Sequence, residues 1–513
     1  MATSEQHDRW KSLIPFLYDW FNHHHLTWPS LSCRWGPVVE EKTFKRVRKL
    51  YLSERTDGTE ANKLITMHAS VCKPRVASAE VITGYSEASF SPYVKAESVI
   101  LHPGEVNKIR ECPSHPAIVV THTDAPQLYV WNVGRQRNRL GDKGNRGKLS
   151  EPDLTLLGHT DNAEFALGMA NPEPLVASGG KDTKVLVWSL ADQMTSLSVQ
   201  GAKGASLQPN TILEGHADTV EDVVWLKGSE HELASVGDDY AVIVWDSRMP
   251  GPATKIAGAH GKEDLHCVDW NPLNPDLLAT GAADGSLKVW DRRKLSSASA
   301  ESPPEALFSC QHHSAPIMRL EWSPTAATCL ATGSEDQVIN VWDLSRGGAA
   351  APAQGSKRTA ANVPPELMFQ HCGHHGMVAD FQWSPDDPFT FLSVSEDEES
   401  ATSEGGGTLQ MWRMNDMIYR PEAEVLAELE HHKTAILEGK SKAPVQTVTN
   451  GTPATVPAVA AAEAPAGPVK QEAPPTPLAP AGINAGMSAV PAPEPAQLPA
   501  SHAADTAMPD APA

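Results

Sequence analysis

The sequence predicts an all-β protein assembled from repeated sheet units, and three observations support that expectation. First, from Trp28 to about residue 413 the chain is a succession of short β-branched runs separated by Gly, Asp, Asn and Pro, the punctuation of strands and turns. Second, a His opens and a Trp closes a unit of nearly constant length. His102 to Trp131, His159 to Trp188, His216 to Trp245, His260 to Trp290 and His313 to Trp342 are separated by 29, 29, 29, 30 and 29 residues. Third, an Asp stands six residues before the Trp in four of these units, at Asp182, Asp239, Asp284 and Asp336. A sixth unit runs from His374 or His375 to Trp412 and is stretched by an acidic, glycine-rich insert, EESATSEGGG.

The other elements follow in chain order. Residues 1–27 are expected to hold an N-terminal helix. Over residues 10–26, Trp10, Leu13, Ile14, Leu17, Trp20 and Phe21 fall at helical spacing and make one apolar stripe, which Pro15 should kink or break. Residues 28–415 form the repeat domain. Within it, residues 31–100 hold strand-like pieces (LSCRWGP, RKLYLSE, NKLITMHAS) without the repeated residues. They read as a degenerate unit plus the strand that closes the assembly, closure being a way to remove sheet edges. Residues 416–440 should form a short C-terminal helix, EAEVLAELEHHK following Pro421. Residues 441–513 are Ala/Pro-rich with almost no aromatic or large aliphatic content, so disorder is expected there.

Charge narrows the function. There are 63 acidic against 42 basic residues, a formal net charge of −21. That argues against sequence-independent DNA binding, which needs a basic face, and favours basic partners. The seven cysteines are scattered without a C-x-x-C pair, as in a reducing compartment. The start, MATSEQHDRW, lacks a basic-then-apolar signal pattern, and no apolar run approaches the roughly 18 residues of a membrane span. A soluble intracellular protein is expected. HHH (23–25) and HCGHH (371–375) fit no standard structural metal spacing. No phosphate-binding or nucleophile-elbow motif occurs. Neither metal nor cofactor is expected. Val469-Lys470-Gln471-Glu472 resembles a SUMO attachment motif.

The repeated His/Asp/Trp set resembles the WD-repeat family over about residues 28–413. The resemblance implies a β-propeller of four-stranded blades, seven when the degenerate unit is counted. It also implies that the Asp occupies a tight turn, the Trp lies on the next strand and the His reaches in from the loop before the blade. A Ser or Thr joins them, as Ser235 would join His216, Asp239 and Trp245. His216, Ser235, Asp239, Trp245, Asp284, Trp290, Asp336 and Trp342 are then structural. A set that recurs in several blades is a folding device rather than a catalytic centre, so no enzyme activity is expected.

Flanking segments sharpen the resemblance. WKSLIPFLYDWFNHHHLTWPSLSCRW, HPGEVNKIR, PPELMFQHCGHH and VSEDEESATSEGGGTLQMWRMNDMIYRPE are similar to the retinoblastoma-binding, histone-chaperone branch of WD proteins, the MSI family, over about residues 8–430. The glycine insert, RPEAEVLAELE and HTDNAEFAL are most similar to its plant FVE-type subgroup. That resemblance implies a nuclear, non-enzymatic scaffold of histone deacetylase and Polycomb-type methyltransferase complexes, acting in repression. It places Glu105, Asn107, Phe165, Glu221, Asp264, His266 and Glu396 on an acidic top face that takes the tail of the type-3 histone, through charge-assisted bonds to Arg and Lys. The loop HGKEDLH carries one extra residue, and a further position expected to be acidic reads Pro316. It places Leu17, Trp20, Phe21, Pro365, Leu367, Phe369 and Ile418 in a groove for the first helix of the type-4 histone. The adjoining loop, SRGGAAAPAQGSKRTAANVPPE, departs from the family in being basic rather than acidic.

A third feature offers an alternative function. Trp245-Asp246-Ser247-Arg248 and Trp290-Asp291-Arg292-Arg293 resemble the docking box of substrate receptors of the cullin-4 ubiquitin ligase, with Arg248 and Arg293 facing the ligase adaptor.

Overall fold

The computed structural model describes residues 4–75, 90–141, 148–163, 165–198, 204–295, 305–348, 363–397 and 406–437. The expected tail, 441–513, and the SUMO-like motif lie outside these residues. The described strands form seven sheets, each with four antiparallel strands. Their innermost strands are Cys33–Glu41, Lys108–Cys112, Leu167–Met169, Val220–Trp225, Leu265–Trp270, Ile317–Trp322 and Met377–Trp383, which define blades 1 to 7. Each innermost strand lies against that of the next blade, and the seventh lies against the first. The fold is a closed seven-bladed β-propeller. Blade 2 gains a fifth strand, Ala205–Leu207, which runs parallel to Leu154–Leu156 and covers that edge.

Closure differs from the expected form. Residues 31–101 make a complete four-stranded blade, Cys33–Glu41, Lys45–Glu54, Lys63–Cys72 and Val94–Leu101. The closing strand is Tyr18–Leu26, which pairs with Gly407–Met414 as the outermost strand of blade 7. The N-terminal helix is therefore only Ser4–Leu17, not residues 10–26. It runs through Pro15 and stops two residues later, as expected where a backbone donor is missing. Trp10 and Ile14 face the propeller, and the Trp10 indole donates to the Tyr18 hydroxyl at 2.8 Å. Trp20 and Phe21 are core residues of the closing strand.

The hydrophobic core sits between blades. One cluster joins Val236, Val242 and Ile256 of blade 4 to Leu265, Trp270 and Leu278 of blade 5. Burying each such side chain stabilises the fold by about 1.5–3 kcal/mol.

Within blades, the repeated polar set pins the outer loop to the sheet. In blade 4 His216 Nδ1 donates to Asp239 at 2.9 Å, Ser235 donates to His216 Nε2 at 2.7 Å, and the Trp245 indole donates to Ser235 at 2.7 Å. Blade 6 repeats this with His313, Asp336, Thr332 and Trp342. In blade 7 His374, rather than His375, holds the position, bonded to Ser393 and Thr408. Blade 5 departs from the expected role of Asp284. His260 bonds to Ser286 at 2.6 Å, while Asp284 accepts the Ser286 backbone N–H. The His260-to-Trp290 interval is the one carrying an extra residue, which takes the imidazole out of register with the turn carboxylate.

Between blades, side chains of one innermost strand accept backbone N–H groups of the next. Asp269 accepts Trp322 N–H at 2.8 Å, Glu321 accepts Trp383 N–H at 2.9 Å, and Gln382 accepts Trp35 N–H at 2.6 Å. Each of those indoles also donates to the carbonyl of the same neighbour. These bonds satisfy polar groups that closure would otherwise bury unpaired.

Candidate functional site

The start of each innermost strand is paired with the end of the second strand. Lys108 faces His122, Leu167 faces Ser178, Val220 faces Gly237, Leu265 faces Ala282 and Met377 faces Glu396. Residues at those two places therefore share one rim of the ring. Glu105 and Asn107 precede Lys108, and Phe165 precedes Leu167. Glu221 is the second residue of Val220–Trp225, Asp264 and His266 flank Leu265, and Glu396 ends Thr390–Glu396. The seven candidate tail-binding residues thus lie on one rim. Glu105, Glu221, Asp264, His266 and Glu396 are partly exposed, and Phe165 is 38% exposed. Asn107 departs from its expected role, because it is buried and offers little surface.

The structure adds residues that the sequence reading missed. Asp238 lies on this rim among Asp264, Asp218 and Asp239. Burial first, and then those negative neighbours, push its carboxyl up to about 6. His266 is lowered by burial, which outweighs the pull of Asp264 and Glu335. Asp238 and Glu335 each stand immediately before the turn carboxylate of their repeat, Asp239 and Asp336. That fixed place in the repeat was the available signal. Glu396 is not free: the Arg55 guanidinium of blade 1 is ion-paired with it.

The second set is divided by burial. Trp20 and Phe21 lie in the core and cannot line a surface groove. Phe369 is also buried, packed in one cluster with Phe21 and Trp412, and Leu17 and Ile418 lean on that cluster. Leu367 packs instead with Trp342, and Pro365 is exposed. The exposed apolar residues on the N-terminal helix are Leu13 and Phe16, at 39% and 73%. Most of the basic loop before Pro364 lies outside the described residues.

The third set is on the opposite rim, because Asp246 pairs with Glu232 and Asp291 with Leu277, at the starts of the second strands. Arg248 grips Asp246 with two bonds of 2.8 and 2.6 Å, and Arg293 grips Asp291 at 2.9 and 2.7 Å. Both arginine side chains are about two-thirds exposed, at 65% and 67%. Trp245 and Trp290 are buried in their blades, so they can only position the arginines and not contact a partner. Among the described residues, no group of three or more His, Cys, Asp or Glu is placed to hold a metal ion. No described helix is long and apolar enough to cross a membrane.

A closed propeller of WD blades, clasped by its N-terminal strand and carrying a carboxylate-lined rim, defines the chain as a WD-repeat protein. Residues 207–246, 253–291 and 304–343 match the WD domain, G-beta repeat family, and residues 5–73 match the family described as histone-binding protein RBBP4 or a subunit of the CAF1 complex. The chain is 45% identical over 458 residues to the WD-40 repeat-containing protein MSI4 of Arabidopsis thaliana, covering 86% of this chain and 88% of that protein. It is 30% identical over 424 residues to MSI3 of the same plant, covering 82% and 92%. The chain belongs to the MSI family of WD-repeat proteins.

Proposed function

We propose that the protein is a histone-binding scaffold that holds the extended tail of the type-3 histone on its acidic rim and presents it to deacetylase and Polycomb-type methyltransferase complexes in the nucleus, favouring repression. The observation that carries this reading is the gathering of Glu105, Glu221, Asp238 and Asp264 on one rim of a protein with net charge −21. Carboxylates so placed attract cationic chains and form the stronger, charge-assisted class of hydrogen bond. The recurrence of the His/Asp/Trp set in several blades supports a non-enzymatic role, because those residues are occupied in holding the sheets. The test is titration of a fluorescent type-3 histone tail peptide. Glu105→Lys together with Asp264→Lys is expected to weaken binding at least about tenfold, as removal of charge-assisted contacts does; unchanged affinity rejects the rim.

Grip of the first helix of the type-4 histone is proposed for the outer face of the N-terminal helix, where Leu13, Phe16 and Leu17 stand at i, i+3 and i+4. A second function, substrate reception for the cullin-4 ligase, is favoured by the two exposed arginines on the opposite rim, each preset by its own Asp. The two rims are separate, so the functions are compatible.

A further inference from the structure

We infer that Arg55 is a built-in competitor for the histone tail: its guanidinium fills the place at Glu396 that a cationic side chain of the tail would take, so the seam between blades 7 and 1 is closed to the peptide until Arg55 is displaced. This rests on the acidic rim being the tail site.

Arg55 directly follows the second strand of blade 1, and Glu396 ends the second strand of blade 7. In a closed ring those ends are neighbours on the same rim. The turn holding Arg55 is fixed by its backbone. Arg55 N–H donates to the Pro29 carbonyl at 2.9 Å, and Thr56 N–H donates to Asn62 at 2.9 Å. The backbone that carries Arg55 is thus anchored, and its guanidinium reaches Glu396 from there. The pair is partly exposed, at 32% and 23% of the two side chains, so a ligand can reach it from solvent. Beside it, Asp397 is 6% exposed and its Oδ2 has no hydrogen-bond partner among the described residues, while Oδ1 is occupied by Ser395 at 2.9 Å. A second carboxylate, buried, therefore stands next to Glu396 in the chain. An incoming Arg or Lys gains Glu396 only by giving up the existing pair, so net gain there is small. Elsewhere on the rim, Glu105 of blade 2 lies beside Asp124, and Asp264 of blade 5 lies beside Asp238. Each thus has a carboxylate nearby, where Glu396 has a guanidinium. Tail affinity is then set by those blades, and the seam acts as a gate on the last few contacts.

The experiment is a double-mutant cycle on the full chain, with Arg55→Ala, Glu396→Gln and both changes, titrated with the same type-3 histone tail peptide. Arg55→Ala is expected to tighten binding about two- to fivefold, the size of a partly exposed ion pair. Glu396→Gln alone is expected to change affinity little, and in the double variant the gain from Arg55→Ala should vanish. If the wild type binds and Glu105→Lys weakens it, yet Arg55→Ala binds no tighter, the competitor is overturned and the rim stands. An equal gain in the Glu396→Gln background also overturns it, since the effect would then be one of net charge. If none of the four proteins binds the peptide, the tail site fails and the competitor with it.

Discussion

The Asp239 carboxylate is held 2.9 Å from His216 Nδ1, and its other oxygen accepts from Lys255 at 3.1 Å. Burial works against the charge, but the His216 bond and the backbone and lysine donors outweigh it and keep this carboxyl well below its ordinary range. Such a group stabilises the fold above the unfolded carboxyl value of about 3.9, and that contribution is lost as pH falls toward the folded value. Asp239→Asn is expected to cost about 1–3 kcal/mol at pH 7, the loss of a hydrogen bond to a charged partner. Denaturant unfolding at pH 7 and pH 3 checks it: the gap between variant and wild type should narrow at the lower pH.

The residue after the turn carboxylate is left-handed in four blades. It is Thr183, Tyr240 and Gln337 at φ of 64, 62 and 74°, and Gly285 at 78°. A β-branched residue is poorly suited to that region. Thr183→Gly is expected to stabilise the protein by about 0.5–1 kcal/mol, net of the entropy cost of glycine. Gly285→Ala should do the reverse, because the added Cβ would lie 2.6 Å from the His313 carbonyl oxygen. Paired thermal melts of the two variants give the signs.

Asp269 sits on the inter-blade ladder. Burial, and then the neighbouring Glu321 charge, push its carboxyl up to about 7. The folded state therefore keeps a proton that the unfolded chain releases, and stability falls as pH rises from about 4 through 7. Gln382 fills the equivalent place in blade 7 with an amide. Asp269→Asn keeps an oxygen for Trp322 N–H and removes the charge. It should flatten the stability slope between pH 5 and 8 and raise stability by about 1 kcal/mol at pH 8. A steeper slope in the variant contradicts the assignment.

Asp238, pushed up to about 6, is charged above that pH and neutral below it. A cationic peptide favours the charged form, so tail affinity should rise as pH goes from 5 to 7.5, with proton release on binding near pH 6. Asp238→Asn should abolish that rise and lower affinity about threefold or more at pH 7.5. Calorimetry in two buffers of different ionisation enthalpy measures the released proton.

On the opposite rim, Arg248→Ala with Arg293→Ala removes two exposed cations, one paired with the partly exposed Asp246 and one with Asp291, whose side chain is 6% exposed. Any loss of stability should come mainly from Arg293→Ala, which leaves the Asp291 carboxylate without its guanidinium. Capture of the cullin-4 ligase adaptor should be lost while peptide binding is kept. Retained capture removes the second reading.

The blades with the His/Asp/Trp set were legible because buried polar groups must be paired, which forces the same residues to the same spacing. The closing strand was not. Tyr18–Leu26 is buried on both faces, so its side chains show no alternation, and Trp20 and Phe21 fall by coincidence on the helical stripe begun by Trp10 and Ile14. Blade 1 was legible only as strand pieces, since it lacks the repeated set, and its Arg46–Asp387 and Arg48–Asp386 ion pairs to blade 7 follow no repeated spacing. At the rim, strand ends fixed where Glu105, Glu221 and Asp264 had to stand, but pairing across a blade seam, as between Arg55 and Glu396, has no footprint in a linear sequence.

Asp19 and Arg413, which meet at 3.1 Å, are separated by 394 positions. During synthesis the first of these strands must wait for the last, for on the order of 20–80 s at ordinary ribosome speeds. Throughout that interval the nascent chain exposes an unmatched strand whose natural mate has not yet been made. Its register is met only when residues 407–414 arrive to pair with it in the finished ring.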